Sequence, residues 1–387
     1  MRIDVHIHFQ PPELIAYLAT HAGQEPYWAL LLAPNPTTGH PPAAPDASRM
    51  LVDMDHAGID CVVIQGEYYR QHESCVAANN RALALQRQYP ERFMVFASVQ
   101  PADERALDEV QRCAASGAIG VGELNPYAQG FRLDSPAFLR LAERCIDLDL
   151  PILIHVNEPV GRYYPGKAVT PLVQYYHLAL RYPELKLILA HWGGGLFFYE
   201  LMPSVRHALR NVWYDMAASP LLYPTADVVA VALRCLSPHK ILFGSDYPLP
   251  LYPRRSREPD MATFLNEIIA LDIAPEVRDD ILGRNAARLL GLMPPAGEPP
   301  EQRASPRKAP PLPHLPITAT TPVAAIAAAW PATRAILDAY GIPWETVEVP
   351  FWEPLHQAAA ARGIGAERLA QLINDLDAAI RCGNETP

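Results

Sequence analysis

The chain has 387 residues, of which 50% are apolar and 19% charged, so it has the length and composition of a large folded domain with an appendage and is not a wholly disordered protein. Its net charge of −10, with no block of Lys or Arg, argues against a surface for nucleic acid or an anionic membrane. Six cysteines without a C-x-x-C pair predict reduced thiols and a cytoplasmic location. No apolar run reaches the roughly 20 residues of a membrane span, and the charged start of the chain is unlike a secretory signal.

Eight short apolar runs alternate with helical patterns along residues 1–292. The runs are nearly continuous instead of alternating with polar residues, which is typical of parallel strands that are covered on both faces. This order predicts an α/β fold, a (β/α)8 barrel, with an open doubly wound sheet as the alternative. The predicted strands are 3–9, 60–65, 93–99, 118–124, 151–157, 185–191, 211–217 and 240–246.

The composition changes after residue 292 and predicts a division into domains. Residues 1–292 are predicted to form the barrel, with a long loop at 20–48 that rises over its mouth. Residues 293–316 contain nine prolines and predict an extended linker. Residues 317–383 are alanine-rich, with Pro at helix starts and Gly at helix ends, and predict a small all-α domain.

Residues that bind metals or transfer protons follow several of the predicted strands. His6 and His8 are two apart on the first strand, so both imidazoles point to one face and can share a divalent ion. The carboxyl ends of barrel strands form the face where barrel enzymes build their sites, which predicts a metal site there. The other residues of this kind at strand ends are Glu123, His155, His191 and Asp246.

The motifs V-H-I-H-F, I-L-I-H, A-H-W-G-G-G and F-G-S-D-Y-P together resemble the amidohydrolase superfamily. More closely, residues 1–292 resemble its amidohydrolase-related branch, which also contains aminocarboxymuconate-semialdehyde decarboxylase. The resemblance implies a divalent metal, most simply Zn with Mn as an alternative, held by His6, His8, His155 and Asp246. It implies that His191 is either a ligand of a second metal or an acid–base histidine.

Glu123 leaves the number of metal ions open. At the end of the fourth strand it stands where two-metal relatives place a bridging ligand, and the G-E-L run also resembles the TatD-type deoxyribonucleases. The alternative is that Glu123 orients a ligand histidine and only one ion binds. The acidic chain argues against a nuclease.

Polar and aromatic side chains near the strand ends predict the substrate class. Cationic and phenolic groups beside a metal suit a small substrate that is aromatic or carries a carboxylate. The triple glycine at 193–195 predicts either a tight turn or a close approach of the backbone to the substrate. The predicted substrate-binding residues are Asn157, Arg162, Tyr163, Trp192 and Tyr247.

Residues 317–383 resemble a small helical domain found beside hybrid-cluster and iron–sulfur repair proteins. Trp344 stands where that family has a cysteine, and Cys382 is the one thiol of this region, so disulfide exchange lacks a second thiol. The prediction is therefore a module for docking a protein partner or for forming a homodimer, with Trp344, Phe351 and Trp352 as either anchors or core residues.

The leading functional prediction is a metal-dependent hydrolase of an amide, ester or lactone. In that mechanism a metal-bound water attacks the carbonyl, and Asp246 accepts its proton and returns it to the leaving group. The alternative on the same scaffold is a non-oxidative decarboxylase of an aromatic or unsaturated acid, with His191 handling the proton. A metal-binding scaffold without catalysis is the third hypothesis.

Overall fold

The structure is a computed structural model that describes residues 1–31, 33, 44–164, 166–167, 169–293, 317–344 and 353–384. The chain divides into two compact units, Met1–Ala296 and Gly297–Pro387. In the described ranges no helix is both long enough and apolar enough to cross a membrane.

The first unit is built on eight parallel strands that pair in chain order, β1 with β2 through to β7 with β8. The two ends of this sheet meet, because the backbone N–H of Val5 donates to the carbonyl of Phe243 at 2.9 Å and that of Asp246 to His6 at 2.8 Å. The predicted TIM-like (β/α)8 barrel is therefore confirmed. The strands are β1 Ile3–His8, β2 Cys61–Gln65, β3 Phe93–Ala97, β4 Gly120–Leu124, β5 Ile152–Ile154, β6 Leu187–Leu189, β7 Val212–Asp215 and β8 Ile241–Leu242.

Helices surround the strands, and among the described residues three of them begin at a side-chain cap, namely Asp46, Asn125 and Ser135. Ser135 accepts from the backbone N–H of Phe138 and Pro136 occupies the first turn of its helix, as the Ser-Pro start predicts. The helices of this unit are α1 Pro12–Thr20, α2 Pro26–Leu31, α3 Ala47–Ala57, α4 His72–Gln88, α5 Ala106–Ala115, α6 Pro126–Gln129, α7 Pro136–Asp147, α8 Leu172–Arg181, α9 Pro203–Ala208, α10 Thr225–Cys235, α11 Ala262–Ile269, α12 Pro275–Asp279 and α13 Asn285–Leu289.

Two features differ from the predicted elements. Residues 26–31, which the composition assigns to a long loop, form helix α2, while residues 34–43 of that loop lie outside the described range. The later strands end earlier than predicted; β6 stops at Leu189 and β8 at Leu242. Beyond these points the backbone leaves the extended conformation, since His191 has φ 56° and Asp246 has φ 66°.

The main core packs between the strands and the surrounding helices, where Val62 and Ile64 of β2 meet Leu83 of α4 and Met54 of α3. The intervening positions of β2 belong to a second buried cluster that is completed by Ala286 of α13. Because apolar residues cover both faces of the strands, polar side chains at the strand ends are held on a rigid frame.

The second unit contains helices α14 Val323–Ala329, α15 Arg334–Ala339, α16 Leu355–Ala360 and α17 Ala366–Asn384 in its described residues. Trp344 is buried in the core of this unit; its Nε1 donates to Asp338 Oδ1 at 2.9 Å and the Arg334 guanidinium lies 4.8 Å from its ring centroid. It is therefore a core residue and not an exposed anchor. Phe351 and Trp352 lie outside the described residues, and docking or dimer formation by this unit stays a prediction.

Candidate active site

The carboxyl ends of the strands bring the predicted metal ligands close to one another. Two groups of side chains have donor atoms that all lie within 4.8 Å of each other. His6 belongs to both groups, with His8 and Asp246 in one and with Glu123 and His191 in the other. His155 belongs to neither group.

The first group, together with Glu123, has the spacing of ligands that share one ion. His8 Nε2 lies 3.5 Å from Glu123 Oε2 and from Asp246 Oδ1, and His6 Nε2 lies 3.7 Å from the same two oxygens. These separations are too long for hydrogen bonds. Two ligands bound tetrahedrally at about 2.1 Å from one ion are roughly 3.4 Å apart. His6 Nε2 is also buried without a hydrogen-bond partner among the described residues, so the donor set fits a divalent metal.

Asp215, at the end of β7, determines which ring nitrogen of His6 is available to a metal. His6 Nδ1 donates to Asp215 Oδ2 at 2.9 Å, which leaves Nε2 as the nitrogen with a free lone pair. The other oxygen of Asp215 accepts from the backbone N–H groups of His191 at 2.9 Å and Ala217 at 3.0 Å. Asp215 was not predicted, although it is a strand-terminal acidic residue like Glu123 and Asp246.

Glu123 connects the first group with two further histidines. While its Oε2 faces His6 and His8, its Oε1 lies 2.7 Å from His155 Nδ1 and 3.6 Å from His191 Nε2. The other ring nitrogen of His155 lies 3.0 Å from Asn157 Oδ1. Both nitrogens of His155 thus face oxygen atoms, and its role as a ligand stays a prediction, as does the number of ions.

The imidazoles of the first group have perturbed pKa values. Burial alone would lower the pKa of His6, but the carboxylates of Asp215 and Glu123 raise it well above its ordinary value. Burial likewise opposes the charged form of His8, while Glu67 raises its pKa well above its ordinary value. Without a metal, these imidazoles therefore hold protons to an unusually high pH.

The pKa values of the carboxylates in the cluster are lowered, whereas those of the imidazoles are raised. Burial alone would raise the pKa of Glu123, but His155 and His6 hold the pKa of that carboxyl well below its usual range. Burial also opposes ionisation of Asp246, and His8 and His6 nevertheless lower its pKa to about 2. The carboxylates are thus charged, which favours binding of a cation in place of the imidazole protons.

This electrostatic arrangement predicts that metal affinity falls as the pH falls. The raised pKa values of His6 and His8 mean that a proton must leave each ligand nitrogen before an ion binds, so acid favours the metal-free form. Calorimetric titration of the metal-free protein with Mn²⁺ in two buffers of different ionisation enthalpy is expected to show proton release and a dissociation constant that rises toward low pH. An affinity independent of pH would contradict this account of the cluster.

A cavity of about 360 Å³ opens beside the cluster. Its floor contains His8, His155, His191 and Asp246. The size is that of a site for one small organic molecule. Its walls are mostly apolar and aromatic, and their residues are Tyr27, Trp28, Leu31, Tyr68, Tyr164, Leu221, Leu222, Pro248, Leu249 and Pro250.

Two of the predicted substrate-binding residues, Asn157 and Arg162, line this cavity, and three do not. Tyr163 is 78% exposed, whereas Trp192 is buried with its Nε1 donating to Ser219 Oγ at 2.9 Å. The hydroxyl of Tyr247 donates to the Asp53 carboxylate at 2.6 Å. These three side chains thus lie outside the lining of the cavity, and their contact with substrate stays a prediction.

The cavity also contains aromatic residues that were not predicted. Tyr68 follows β2 by three residues. Because barrel enzymes build their sites at the carboxyl ends of strands, its position in the sequence could have identified it. Tyr27 and Trp28 come from α2, in a stretch without hydrophobic periodicity that offered no such signal. The rings of Trp28 and Tyr68 lie 4.9 Å apart, and Tyr68 lies 6.0 Å from the His155 ring.

The triple glycine allows an unusual backbone after β6. Residues 191–195 all have positive φ, which costs about 1–2 kcal/mol for each residue with a Cβ, here His191 and Trp192. A Cβ on Gly194 would lie 2.5 Å from the carbonyl oxygen of Asn157, and one on Gly193 would lie 2.9 Å from the Tyr214 ring. The glycines thus permit both a left-handed turn and close packing, which together aim His191 at the cavity.

Solved structures with the same fold include several decarboxylases. A 5-carboxyvanillate decarboxylase from Sphingomonas paucimobilis is 18% identical, with a TM-score of 0.61, over 75% of this chain and 98% of that one. A dihydroxybenzoic acid decarboxylase from Polaromonas sp. JS666, with bound manganese and 2-nitroresorcinol, is 21% identical (TM-score 0.55; 75% and 97% covered). The 5-carboxyvanillate decarboxylase of Novosphingobium aromaticivorans, with manganese and 4-hydroxy-3-methoxy-5-nitrobenzoic acid, is 17% identical (TM-score 0.56; 75% and 96% covered). At these identities the likeness establishes the fold alone.

These neighbours correct two predictions. The leading prediction of a hydrolase is wrong, because most of the similar structures are decarboxylases and match the alternative hypothesis. A divalent metal is supported, but two of these neighbours carry manganese and nothing identifies zinc. Tested against curated proteins, the chain has no significant match.

The amidohydrolase family model matches residues 3–292, which span the barrel and all six predicted metal ligands. The chain therefore belongs to the amidohydrolase family.

Proposed function

We propose that this protein is a metal-dependent decarboxylase that removes CO2 from a small aromatic carboxylic acid. The observation that carries the proposal is the cavity of about 360 Å³ in which an aromatic wall faces His191 and Asp246. Tyr27, Trp28 and Tyr68 offer flat apolar surface for a ring, while the floor offers metal-binding and proton-transferring groups. The decarboxylase neighbours act on or bind substituted benzoic acids and phenols, which fit the same combination.

The residues that would hold the metal are His6, His8 and Asp246, with Glu123 beside them. Imidazole and carboxylate donors suit Mn²⁺ as well as Zn²⁺, and the manganese in the neighbours favours Mn²⁺. When bound, the ion supplies a Lewis acid that polarises an oxygen of the substrate and stabilises negative charge as it develops.

His191 is proposed to supply the proton. Its Nδ1 donates to the carbonyl oxygen of Ala217 at 2.9 Å, so Nε2 is the nitrogen that faces the cluster and the cavity. In the reaction the bond between the ring carbon and the carboxyl carbon breaks, its electron pair stays on the ring carbon, and CO2 leaves. A proton from Nε2 of the protonated imidazole then completes the C–H bond.

Arg162 is proposed to attract the substrate anion. It lines the cavity near its mouth and is exposed, so it offers positive charge to an approaching carboxylate. The apolar side chains Leu221, Leu222 and Leu249 line the same cavity and add apolar surface for the aromatic ring.

The test is CO2 release from a panel of hydroxybenzoic acids by the full chain loaded with Mn²⁺. Turnover is expected for acids with a hydroxyl group beside the carboxyl group, because that oxygen stabilises the charge left when CO2 departs. Unsubstituted benzoic acid is the matched control and is expected to be inert. If the metal-loaded protein releases no CO2 from any member of the panel, the proposal is overturned in favour of a non-catalytic scaffold.

A further inference from the structure

A second, much smaller cavity lies beside the carboxyl end of β2, between that strand and helix α4. Its volume is about 20 Å³, which exceeds the roughly 10–15 Å³ that one water molecule requires on the same measure. Apart from four polar side chains, apolar groups form much of its lining, including Phe9, Leu14, Ala82 and Phe96. We refer to this space as the β2 chamber.

Four polar side chains of the described residues line the β2 chamber; the amide of Asn79 is already hydrogen-bonded to Ser98 and Glu109, and the other three are Gln65, Glu67 and Arg81. Each of these three has a buried atom without a hydrogen-bond partner among the described residues, namely Gln65 Oε1, Glu67 Oε2 and Arg81 Nη1. Gln65 is 1% exposed and Glu67 is 3% exposed. Since buried polar atoms are almost always hydrogen-bonded, three such atoms around one cavity indicate a ligand that satisfies them together.

The surrounding contacts fix which atoms donate and which accept. Gln65 Nε2 donates to the carbonyl oxygen of Val5 at 2.7 Å, so the acceptor Oε1 is the amide atom left for the chamber. The Arg81 guanidinium lies 5.7 Å from the ring centroid of Tyr17, which restricts its plane, and its Nη1 can only donate. The chamber therefore presents two acceptors and one donor.

We propose that the β2 chamber binds one ordered water molecule that accepts a hydrogen bond from Arg81 and donates to Gln65 and Glu67. A water molecule has two hydrogens to donate and lone pairs to accept, and buried waters typically make about three hydrogen bonds. A metal cation does not match this site, because the guanidinium already provides the positive charge. The water is bound whether or not the protein is a decarboxylase.

The water has a consequence for the metal centre, and this part rests on the proposed metal site. Glu67 Oε1 lies 3.6 Å from His8 Nδ1 and 3.5 Å from Gln10 Nε2. By holding Oε2, the water and Arg81 fix the Glu67 carboxylate beside the His8 ring, where its negative charge lies 3.6 Å from Nδ1 and favours a proton on that nitrogen. His8 Nε2, which faces Glu123 and Asp246, is then the nitrogen that remains for the metal. Glu67 and Arg81 are thus positioning residues, and groups of this kind are typically worth about 10–100-fold in metal affinity.

The chamber is tested by a crystal structure of the full-length protein at a resolution that shows ordered water. The expected result is one density peak at about 2.7–3.2 Å from Gln65 Oε1, Glu67 Oε2 and Arg81 Nη1. A direct contact between Arg81 and Glu67, or well-ordered lining residues around a chamber without density, would overturn the proposal. This result does not depend on whether the protein binds metal or decarboxylates anything.

The positioning role is tested by the Mn²⁺ dissociation constant of Arg81→Met, with Arg87→Met, an exposed position on the same helix, as the matched control. Arg81→Met is expected to raise the constant about 10–100-fold, Arg87→Met to leave it unchanged, and Arg81→Lys to recover most of the loss. A lower melting temperature with unchanged Mn²⁺ affinity would assign Arg81 to the fold alone and overturn the positioning role. If the wild type binds no Mn²⁺, the metal site itself fails, while the crystallographic test of the water still stands.

Discussion

Replacement of His191 by asparagine is expected to lower turnover of an aromatic carboxylic acid by about 10²–10⁴-fold, the usual contribution of a positioned acid–base group. Asparagine keeps a donor for the carbonyl oxygen of Ala217, which His191 Nδ1 contacts at 2.9 Å, but places nothing at the position of Nε2. The backbone and the metal donors His6, His8 and Asp246 are unaltered, so the metal content is expected to match that of the wild type. Steady-state kinetics and elemental analysis on the same preparation measure both quantities.

The matched control for this variant is His207→Asn, because His207 is exposed on α9 and should leave turnover unchanged. His191 also belongs to a candidate metal-binding group with His6 and Glu123. Its replacement therefore distinguishes a metal ligand from a proton donor. Loss of metal together with activity would identify His191 as a ligand. Near-normal turnover at full metal content would rule it out as the proton donor.

Replacement of His6 by alanine is expected to remove the metal and, with it, all turnover. His6 belongs to both candidate groups, and its Nε2 is buried without a hydrogen-bond partner among the described residues, so the change removes a ligand from either arrangement. The variant Asp215→Asn is expected to lower metal affinity less than His6→Ala does. It leaves every donor in place but weakens the 2.9 Å contact that orients His6, and it is expected to cost about 10–100-fold in metal affinity.

Elemental analysis of gently purified variants and titration with Mn²⁺ measure these effects. The expected order of metal affinity is wild type, then Asp215→Asn, then His6→Ala, with no detectable metal in the last. If His6→Ala keeps one equivalent of metal, the ion binds elsewhere and the ligand set described here is wrong.

The barrel is predictable from sequence because its signal is repetitive. Each strand is a short Val-, Ile- and Leu-rich run, and parallel strands leave only their carboxyl ends for polar side chains, so the sequence pattern alone places His6, Glu123 and Asp246 on one face. The exact strand ends could not be predicted. His191 and Asp246 lie in left-handed backbone that depends on contacts with distant segments.

The residues that orient the site were harder to predict than the donors themselves. Asp215 acts on His6 across 209 positions of sequence, and Glu67 faces His8 from the loop that follows β2. Conversely, Trp192 and Tyr247 adjoin predicted site residues in the chain but point away from the cavity. Adjacency in sequence does not determine direction where the backbone turns sharply.

The sequence motifs also do not distinguish hydrolysis from decarboxylation. The same imidazole and carboxylate donors serve either reaction, so the resemblance to the family does not choose between them. What distinguishes this chain is the cavity wall, to which Tyr27, Tyr68 and Leu221 contribute from three separate segments. No local pattern joins those segments, and only the fold brings them together.

The most direct test of decarboxylation is analysis of the product formed from a hydroxybenzoic acid in D2O that contains 18O-labelled water. The Mn²⁺-loaded protein is expected to release CO2 and to leave one deuterium on the carbon that lost the carboxyl group, with no 18O in the aromatic product. The deuterium reports the proton that His191 is proposed to deliver. A product that carries 18O without loss of CO2 would show attack by water and contradict the proposed function.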